Sequence, residues 1–386
     1  MERNVTLDFV RGVAILGILL LNIVAFGQPK AAYLNPAWYG EITSRDAWTW
    51  ATLDLFAQAK FLTLFALLFG AGLQMLLSRG KRWIQTRLTL LALIGFLHCL
   101  LFWEGDILLA YALVGLVCWR MVRDAGSVKT LLTTGVVLYL IGVGVLLLLG
   151  IISGDSVNRA WVPDLSALQY EHFWRTRGGG EAISNRVDML SSNLLAIGAQ
   201  YGWQLAGMML IGAALMRSGW LKGHFSPAHY RRTGLVLVVL GMLINLTGIV
   251  AQWQSGWSYR WSAFLLQAPR ELSAPLQSIG YAALIWGFWP QIARLRWLAG
   301  PVACVGRMAL SNYLLQTVIC TTLFWKLGLF MHYNRLQLLA FVPPVWLANL
   351  LFSVLWLRYF RQGPVEWLWR RLTLHFAGTP ISNTSR

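Results

Sequence analysis

Long apolar runs separated by short polar connections dominate this chain. A helix needs about 20 residues to cross roughly 30 Å of hydrocarbon. Apolar runs of this order lie at 8–27, 52–78, 130–152, 194–216, 231–252, 274–290, 302–325 and 338–357. The stretch 88–119 holds two shorter runs, hinged at Glu104-Gly105-Asp106, which we interpret as two short or tilted helices. The pattern predicts an all-α, polytopic membrane protein with about ten transmembrane helices.

The composition supports lipid as the solvent of this chain. It is 57% apolar and only 12% charged, whereas a soluble domain carries roughly 25% charged residues. A chain this apolar cannot cover itself with polar surface in water. A soluble globular protein is therefore excluded.

Lysine and arginine residues concentrate on alternate connections. One set of connections holds 19 of them, including Arg3, the loops 79–87 and 217–232 and a tail ending at Arg386; the other set holds 10. Because cytoplasmic connections are enriched in Lys and Arg, this bias predicts that both termini are cytoplasmic. The net charge of +17 then reflects topology, and nucleic acid is not expected as a partner.

One connection is much longer than the others. Residues 153–193 are predicted to form an extracytoplasmic loop that holds short helices, and connections of this length are often functional. The loop separates an N-terminal five-helix transmembrane region, 1–152, from a C-terminal five-helix region with a cytoplasmic tail, 194–386. No repeat relates the two regions, which argues against an inverted-repeat transporter.

Several classes of chemistry lack a signature in this sequence. The four cysteines lie within apolar runs without C-x-x-C spacing, so we expect buried, inert thiols and no metal. There is no P-loop, metal-ligand cluster, serine-hydrolase elbow or Rossmann fingerprint. The first apolar run has no small-residue cleavage site and is interpreted as a retained anchor.

Polar residues inside a membrane are costly, so each is a functional candidate. In the first helix, helical spacing places Asp8, Arg11 and Asn22 on one inward stripe. Asp8 and Arg11 are three residues apart and can pair, either as a structural ion pair or as part of a ligand-binding site. Lys60 in the second helix, with Arg307 and Asn312 in the ninth, could likewise line a cavity or bind an anionic group.

His98 is the histidine that falls within a predicted span. Glu104 and Asp106 follow it closely, so either carboxylate could orient the imidazole as a general base. A membrane histidine can equally be a packing residue that forms a hydrogen bond with a neighbouring helix. The sequence leaves both interpretations open.

Five separated motifs lie at 7–12, 60–73, 95–98 with 105–108, 306–313 and 363–370. Over essentially the whole chain, these motifs resemble those of the YeiB family of bacterial inner-membrane proteins. This resemblance implies a multi-pass protein of the bacterial inner membrane, surrounded by membrane lipids. It does not imply a reaction.

The first helix further resembles the transmembrane acyltransferase superfamily, which includes acyltransferase-3 proteins and the heparan-glucosaminide N-acetyltransferase. That resemblance implies transfer of an acyl group, such as acetyl, from cytoplasmic acyl-CoA to an extracytoplasmic acceptor, and it covers mainly the N-terminal five helices. Acyltransferase-3 proteins have a histidine where this chain has Asn22. The heparan enzyme has a catalytic histidine where this chain has Asn35.

Two functions follow as hypotheses. In the first, a membrane-embedded acyltransferase uses His98 in place of the missing histidine, while Asn22 stabilises the oxyanion and basic cytoplasmic loops attract acyl-CoA. In the second, a transporter or lipid-handling protein uses the same polar residues as a ligand path. The acceptor, the acyl group and the oligomeric state, a homodimer included, stay open.

Overall fold

The computed structural model describes residues 4–40, 42–154 and 158–378, so Arg3 and Arg386 lie outside the described residues. Within those ranges the regular structure is helical, without strands, which confirms the all-α prediction. The α-helices are α1 Val5–Gly27, α2 Ser44–Phe56, α3 Lys60–Leu76, α4 Lys81–Leu101, α5 Leu108–Asp124, α6 Val128–Ile152, α7 Leu165–Arg177, α8 Gly179–Ala196, α9 Gly202–Arg217, α10 Pro227–Gln254, α11 Tyr259–Ala263, α12 Ala268–Gly287, α13 Trp289–Ile292, α14 Arg296–Arg307, α15 Ala309–Thr321, α16 Arg335–Leu338, α17 Val342–Tyr359 and α18 Pro364–Ala377.

Seven helical segments of the described chain are long and apolar enough to cross a membrane. They are Val5–Gly27, Ser44–Arg79, Lys81–Leu101, Val128–Ile152, Gly179–Arg217, Pro227–Gln254 and Arg335–Tyr359. The bent pair α14 and α15 adds an eighth if it counts as one span. The two other predicted spans correspond to α5 and α12. The polytopic architecture is confirmed, while a total of ten crossings stays a prediction.

Glycines allow the central helices to approach each other closely. A Cβ atom at Gly306 of α14 would overlap the carbonyl oxygen of Asp8 in α1. Likewise, a Cβ at Gly70 of α3 would overlap the carbonyl of Met209, and one at Gly212 of α9 the carbonyl of Leu67. Small residues at such crossings are typical of membrane helices. Helices from the N-terminal and C-terminal regions therefore pack directly on one another.

Three interruptions shape the helices around the polar interior. Between α2 and α3, Ala59 adopts a left-handed conformation with φ of 66°, which costs energy for a residue with a Cβ atom. A π-helical turn, Ile197–Tyr201, joins α8 to α9, and such turns often mark functional sites. At Met308 the chain bends by 91° between α14 and α15. The first two interruptions border the polar cavity described below.

Candidate functional site

His98 lies in the last turn of α4 and is held on both sides of its ring. Its Nδ1 atom is 2.7 Å from Oδ1 of Asp106, and its Nε2 atom is 3.1 Å from Oγ1 of Thr317 in α15. The His98 side chain is only 4% exposed and that of Asp106 only 1%. We call Asp106, His98 and Thr317 the His98 relay. Of the two predicted carboxylates, Asp106 is the one that contacts His98.

The relay geometry favours one tautomer of His98. Asp106 accepts the backbone N–H of Leu109 with its second carboxylate oxygen, at 2.8 Å, so its other oxygen is free to accept from Nδ1. With the proton on Nδ1, the lone pair of Nε2 faces the hydroxyl of Thr317. A carboxylate that orients a histidine toward a hydroxyl is the arrangement by which a base activates a nucleophile.

A glycine makes this contact between α4 and the start of α5 possible. Gly95 lies one helical turn before His98, and a Cβ atom there would overlap the backbone nitrogen of Leu109. The same atom would lie 2.9 Å from Oδ2 of Asp106. Any side chain at position 95 would therefore push Asp106 away from His98.

Glu104, the other predicted partner of His98, instead pairs with the long connection. Its carboxylate lies 2.5 Å from Arg175 and 3.8 Å from Arg186, and Arg175 also pairs with Glu171 at 2.8 Å. Burial by itself lowers the pKa of Arg175, but the neighbouring carboxylates of Glu104 and Glu171 raise this pKa above its ordinary value. We call these four residues the Glu104 ion cluster. It ties α7 and α8 to the α4–α5 hinge.

The first helix carries the expected inward stripe. Asp8 and Asn22 are buried, and Arg11 lies 3.4 Å from Asp8. Asn22 makes no side-chain hydrogen bond to the described residues, so its amide keeps its capacity for one. Asn35 is occupied: its amide donates to the carbonyl of Trp161 and accepts from the backbone N–H of Ala37.

The predicted residues of the ninth helix serve mainly as connectors. Asn312 is fully buried, donates to Ser353 at 2.7 Å and accepts from Asn349 at 2.9 Å. Arg307 donates to the carbonyl of Arg361 at 2.9 Å. Neither residue contacts the His98 relay. Asn312 instead fastens α15 to α17, and Arg307, the last residue of α14, fastens that helix to the connection that precedes α18.

A polar cavity of about 210 Å³ lies away from the His98 relay. It is bordered by the α2–α3 break, the π-helical turn and the start of α12. Its lining residues include Tyr33, Gln58, Ala59, Tyr139, Gln200, Tyr201, Gln204, Gln267, Arg270 and Glu271. Lys60 stands behind this lining and donates from Nζ to the carbonyl of Asp54 at 2.6 Å. The structure thus places Lys60 beside Asp54. Arg307 and Asn312, which the sequence analysis grouped with Lys60, contact other residues.

Charged and amide side chains form a continuous network along one wall of this cavity. Arg270 pairs with Asp54 at 3.0 Å and lies 3.5 Å from Glu271. Glu271 accepts from Gln204 at 3.1 Å, and Gln204 accepts from Gln200 at 2.5 Å. Buried ionisable groups in a membrane are expensive and usually functional. The cavity is therefore a second candidate site.

Comparison with known proteins identifies the family. The chain is 75% identical, over the whole length of both chains, to a protein of Escherichia coli (strain K12) described as the uncharacterized protein YeiB. This chain belongs to the YeiB family. That finding confirms the family inferred from the sequence motifs.

More distant relatives share most of the YeiB-family chain. The uncharacterized protein YxaH of Bacillus subtilis (strain 168) is 32% identical over all of this chain and 97% of its own length. An uncharacterized 39.9 kDa protein from the amylase 3' region of Bacillus acidopullulyticus is 28% identical over 96% of this chain and 94% of its own. Residues 215–375 match a family described as protein of unknown function, DUF418. No solved structure matches the chain.

The sequence pattern of this YeiB-family chain did not predict some residues of the two candidate sites. Thr317 gave no signal because a threonine in an apolar run is common. Arg270 and Glu271 were assigned to a connection because they precede the apolar run 274–290. Acidic and basic neighbours within four residues of a span could have drawn attention to them. In the described part of the chain, no group of three or more His, Cys, Asp or Glu could hold a metal.

Proposed function

We propose that this protein is a membrane-embedded acyltransferase in which His98 is the general base. The observation that carries the proposal is the His98 relay. In it, Asp106 contacts Nδ1 and Thr317 contacts Nε2 of one buried histidine. The resemblance of the first helix to transmembrane acyltransferases supports the same reaction. Acyl-CoA, such as acetyl-CoA, would be the co-substrate.

The proposed chemistry follows from the tautomer that Asp106 favours. An acceptor hydroxyl or amine takes the place of the Thr317 hydroxyl at Nε2, and His98 removes its proton as the acceptor attacks the thioester carbonyl. The carbon–sulfur bond then breaks, and the leaving thiolate takes the proton from His98. Asn22, with no side-chain hydrogen bond to the described residues, would donate to the oxyanion.

The proposed membrane orientation puts the acyl-CoA binding face in the cytoplasm of a bacterial cell. Lys81, Lys222, Arg231 and Arg232 are exposed at the basic connections and can attract the phosphates of CoA. Arg217 is not available, because its guanidinium donates to Gln74 and to the carbonyls of Val122 and Ala125. Reporter fusions after residues 84 and 175 should give cytoplasmic and extracytoplasmic signals respectively. The reverse result at either site would contradict this orientation.

Purified protein in detergent or nanodiscs provides the direct test of acyl transfer. Mass spectrometry should detect co-purified CoA derivatives, and added acetyl-CoA should release free CoA when membrane extract supplies an acceptor. Both signals should fall with rising salt, because salt screens the attraction between phosphates and basic residues. If acetyl-CoA neither binds at low salt nor releases CoA, the acyltransferase proposal is wrong.

A second candidate function, transport or handling of a small ligand, is supported by the polar cavity. Discontinuous membrane helices whose broken ends face a ligand are typical of secondary transporters, and the α2–α3 break borders the cavity. This function predicts ligand binding or uptake into proteoliposomes without release of CoA. The two measurements therefore separate the two functions.

A further inference from the structure

We propose that the polar cavity binds a small zwitterion of the amino-acid or betaine class, whether or not the protein transfers acyl groups. The cavity of about 210 Å³ is large enough for a small molecule, and it is lined by both an anionic and a cationic side chain. Because burying an isolated charge is costly, such a ligand needs partners for both of its charges. The cavity wall offers a place for each.

The carboxylate of Glu271 suits the ammonium end of the ligand. Its side chain is 18% exposed, while that of Arg270 beside it is only 4% exposed, so Glu271 is the more accessible of the two charges. Three tyrosines, Tyr33, Tyr139 and Tyr201, line the same cavity. Aromatic rings attract ammonium and quaternary ammonium groups, so this part of the lining accepts a cationic group with or without N–H donors.

The beginning of α3 suits the carboxylate end. Ala59, Leu62 and Thr63 line the cavity, and no side chain caps this helix end. The backbone N–H groups of Lys60 and Thr63 donate to Ala57 and Ala59, whereas those of Phe61 and Leu62 have no acceptor among the described residues. An open helix N-terminus attracts anions through such groups and through the helix dipole.

A second group that lines the cavity strengthens this assignment. Arg270 is 3% exposed, and its buried Nε atom lies 3.5 Å from Oε1 of Glu271 without making a hydrogen bond to it. The other nitrogens of its guanidinium donate to Asp54 and Gln267. A ligand carboxylate that accepts from Nε would complete the hydrogen bonds of Arg270. The ammonium end of the same ligand would face Glu271 and offset the repulsion between the two carboxylates.

The charges around the cavity balance one another. Arg270 and Glu271 line it, while Asp54 and Lys60 stand behind them. These four groups have formal charges that sum to zero, so a ligand with a net charge would leave one charge without compensation. A zwitterion satisfies both ends without changing the total.

The test is ligand-dependent thermal stability of the full chain in nanodiscs, since a ligand that binds only the folded protein raises the melting temperature. Glycine betaine and L-proline are the probes, with choline and acetate as the separate charges and glucose as a neutral polar solute. We expect a saturable rise with at least one zwitterion and none with the other three. Equilibrium dialysis with radiolabelled glycine betaine and L-proline should give the same half-saturation.

Three variants locate the site. Glu271→Gln should weaken binding by about tenfold or more, because a charge-assisted hydrogen bond is lost. Ala66→Leu should abolish binding by filling the cavity without altering its charges. Glu181→Gln, which changes an exposed carboxylate of α8, should leave binding unchanged.

Three results would overturn the proposal. The first is that neither zwitterion binds the wild-type protein in either assay. The second is that choline, acetate or glucose gives the same saturable rise as the zwitterions. The third is binding that survives unchanged in a folded Ala66→Leu protein. Dialysis on the wild-type chain decides the first result even if a variant does not fold.

Discussion

Nδ1 of His98 lies 2.7 Å from Oδ1 of Asp106, and the two side chains are buried together at the α4–α5 hinge. A buried carboxylate needs hydrogen bonds to be tolerated, and Asp106 obtains them from His98 and from the backbone of Leu109. Both ring nitrogens of a buried histidine need partners, and Thr317 supplies the partner of Nε2. Packing and chemistry are therefore separated by experiment, at the position where an acceptor could replace the Thr317 hydroxyl.

Substitution of His98 should separate chemistry from packing. If His98 is the base, His98→Ala should lower the rate of CoA release by roughly 10²–10⁴-fold, while binding of acetyl-CoA is retained. Asp106→Asn should lower the rate by less than His98→Ala does, because the asparagine side chain can still contact the ring. Some rate is lost because a neutral amide cannot stabilise the protonated imidazole. Turnover and melting temperature are measured on the same preparation.

The matched control for that substitution is His229→Ala, which removes an exposed imidazole near the start of α10. Its turnover should equal that of the wild type. Thr317→Val tests whether the hydroxyl participates or only fills the position of an acceptor; only in the first case should turnover collapse. Wild-type turnover in a stable, CoA-binding His98→Ala protein would remove His98 from the mechanism.

Local sequence could predict the helices and half of the relay. Apolar runs reveal spans because each helix must satisfy its own backbone in lipid, and the short hinge places Asp106 close to His98. Long-range contacts left no such signal. Thr317 is 219 residues from His98, and Arg270 is 216 residues from Asp54. These pairs depend on how helices from the two halves pack, which periodicity along one helix cannot show.

Glu104 should prove structural. Glu104→Gln removes a buried charge from beside Arg175 and Arg186. Glu171 then remains as the one carboxylate of the Glu104 ion cluster for both guanidinium groups. The substitution should destabilise the protein by up to about 3 kcal/mol, because buried charges are then incompletely compensated. Turnover per folded molecule should be retained, since Glu104 does not contact His98. Chemical or thermal unfolding measures the loss.

The control is Asp124→Asn, which breaks an exposed pair with Arg123. Exposed pairs contribute little to stability, so its melting temperature should not change. A Glu104→Gln protein of normal stability with lost turnover would contradict the structural role and support the predicted catalytic role of Glu104 instead.

The close approach at Gly95 gives a third prediction. Gly95→Ala should lower both melting temperature and turnover, because the added methyl group overlaps Leu109 and displaces Asp106 from His98. Gly72→Ala is the matched control: it lies in α3, and its added methyl group meets open space. Since alanine favours helix over glycine by up to about 1 kcal/mol, the control should be neutral or slightly stabilising. Equal effects in both variants would mean that the contact at Gly95 is unimportant.

The tail helix supplies a prediction of pH dependence. Glu366 in the first turn of α18 accepts from the hydroxyl of Ser311 at 2.5 Å and from its backbone N–H at 3.0 Å. Burial raises the pKa of Glu366, and the hydrogen bonds from Ser311 lower it by less, so the net pKa is raised. The folded protein therefore binds this proton more tightly than the unfolded chain does.

The sign of the effect follows from that linkage. The contribution of Glu366 to stability is fully present below its ordinary pKa and is lost as the pH rises through its raised value in the folded protein. Glu366→Gln cannot ionise, so the melting temperature of the wild type minus that of the variant should decrease as the pH rises through this range. Glu181→Gln, at an exposed carboxylate, should give a difference that does not vary with pH. A wild-type advantage that grows with pH would show instead that the Ser311 hydrogen bonds outweigh burial, and that the carboxylate form fastens α18 to α15.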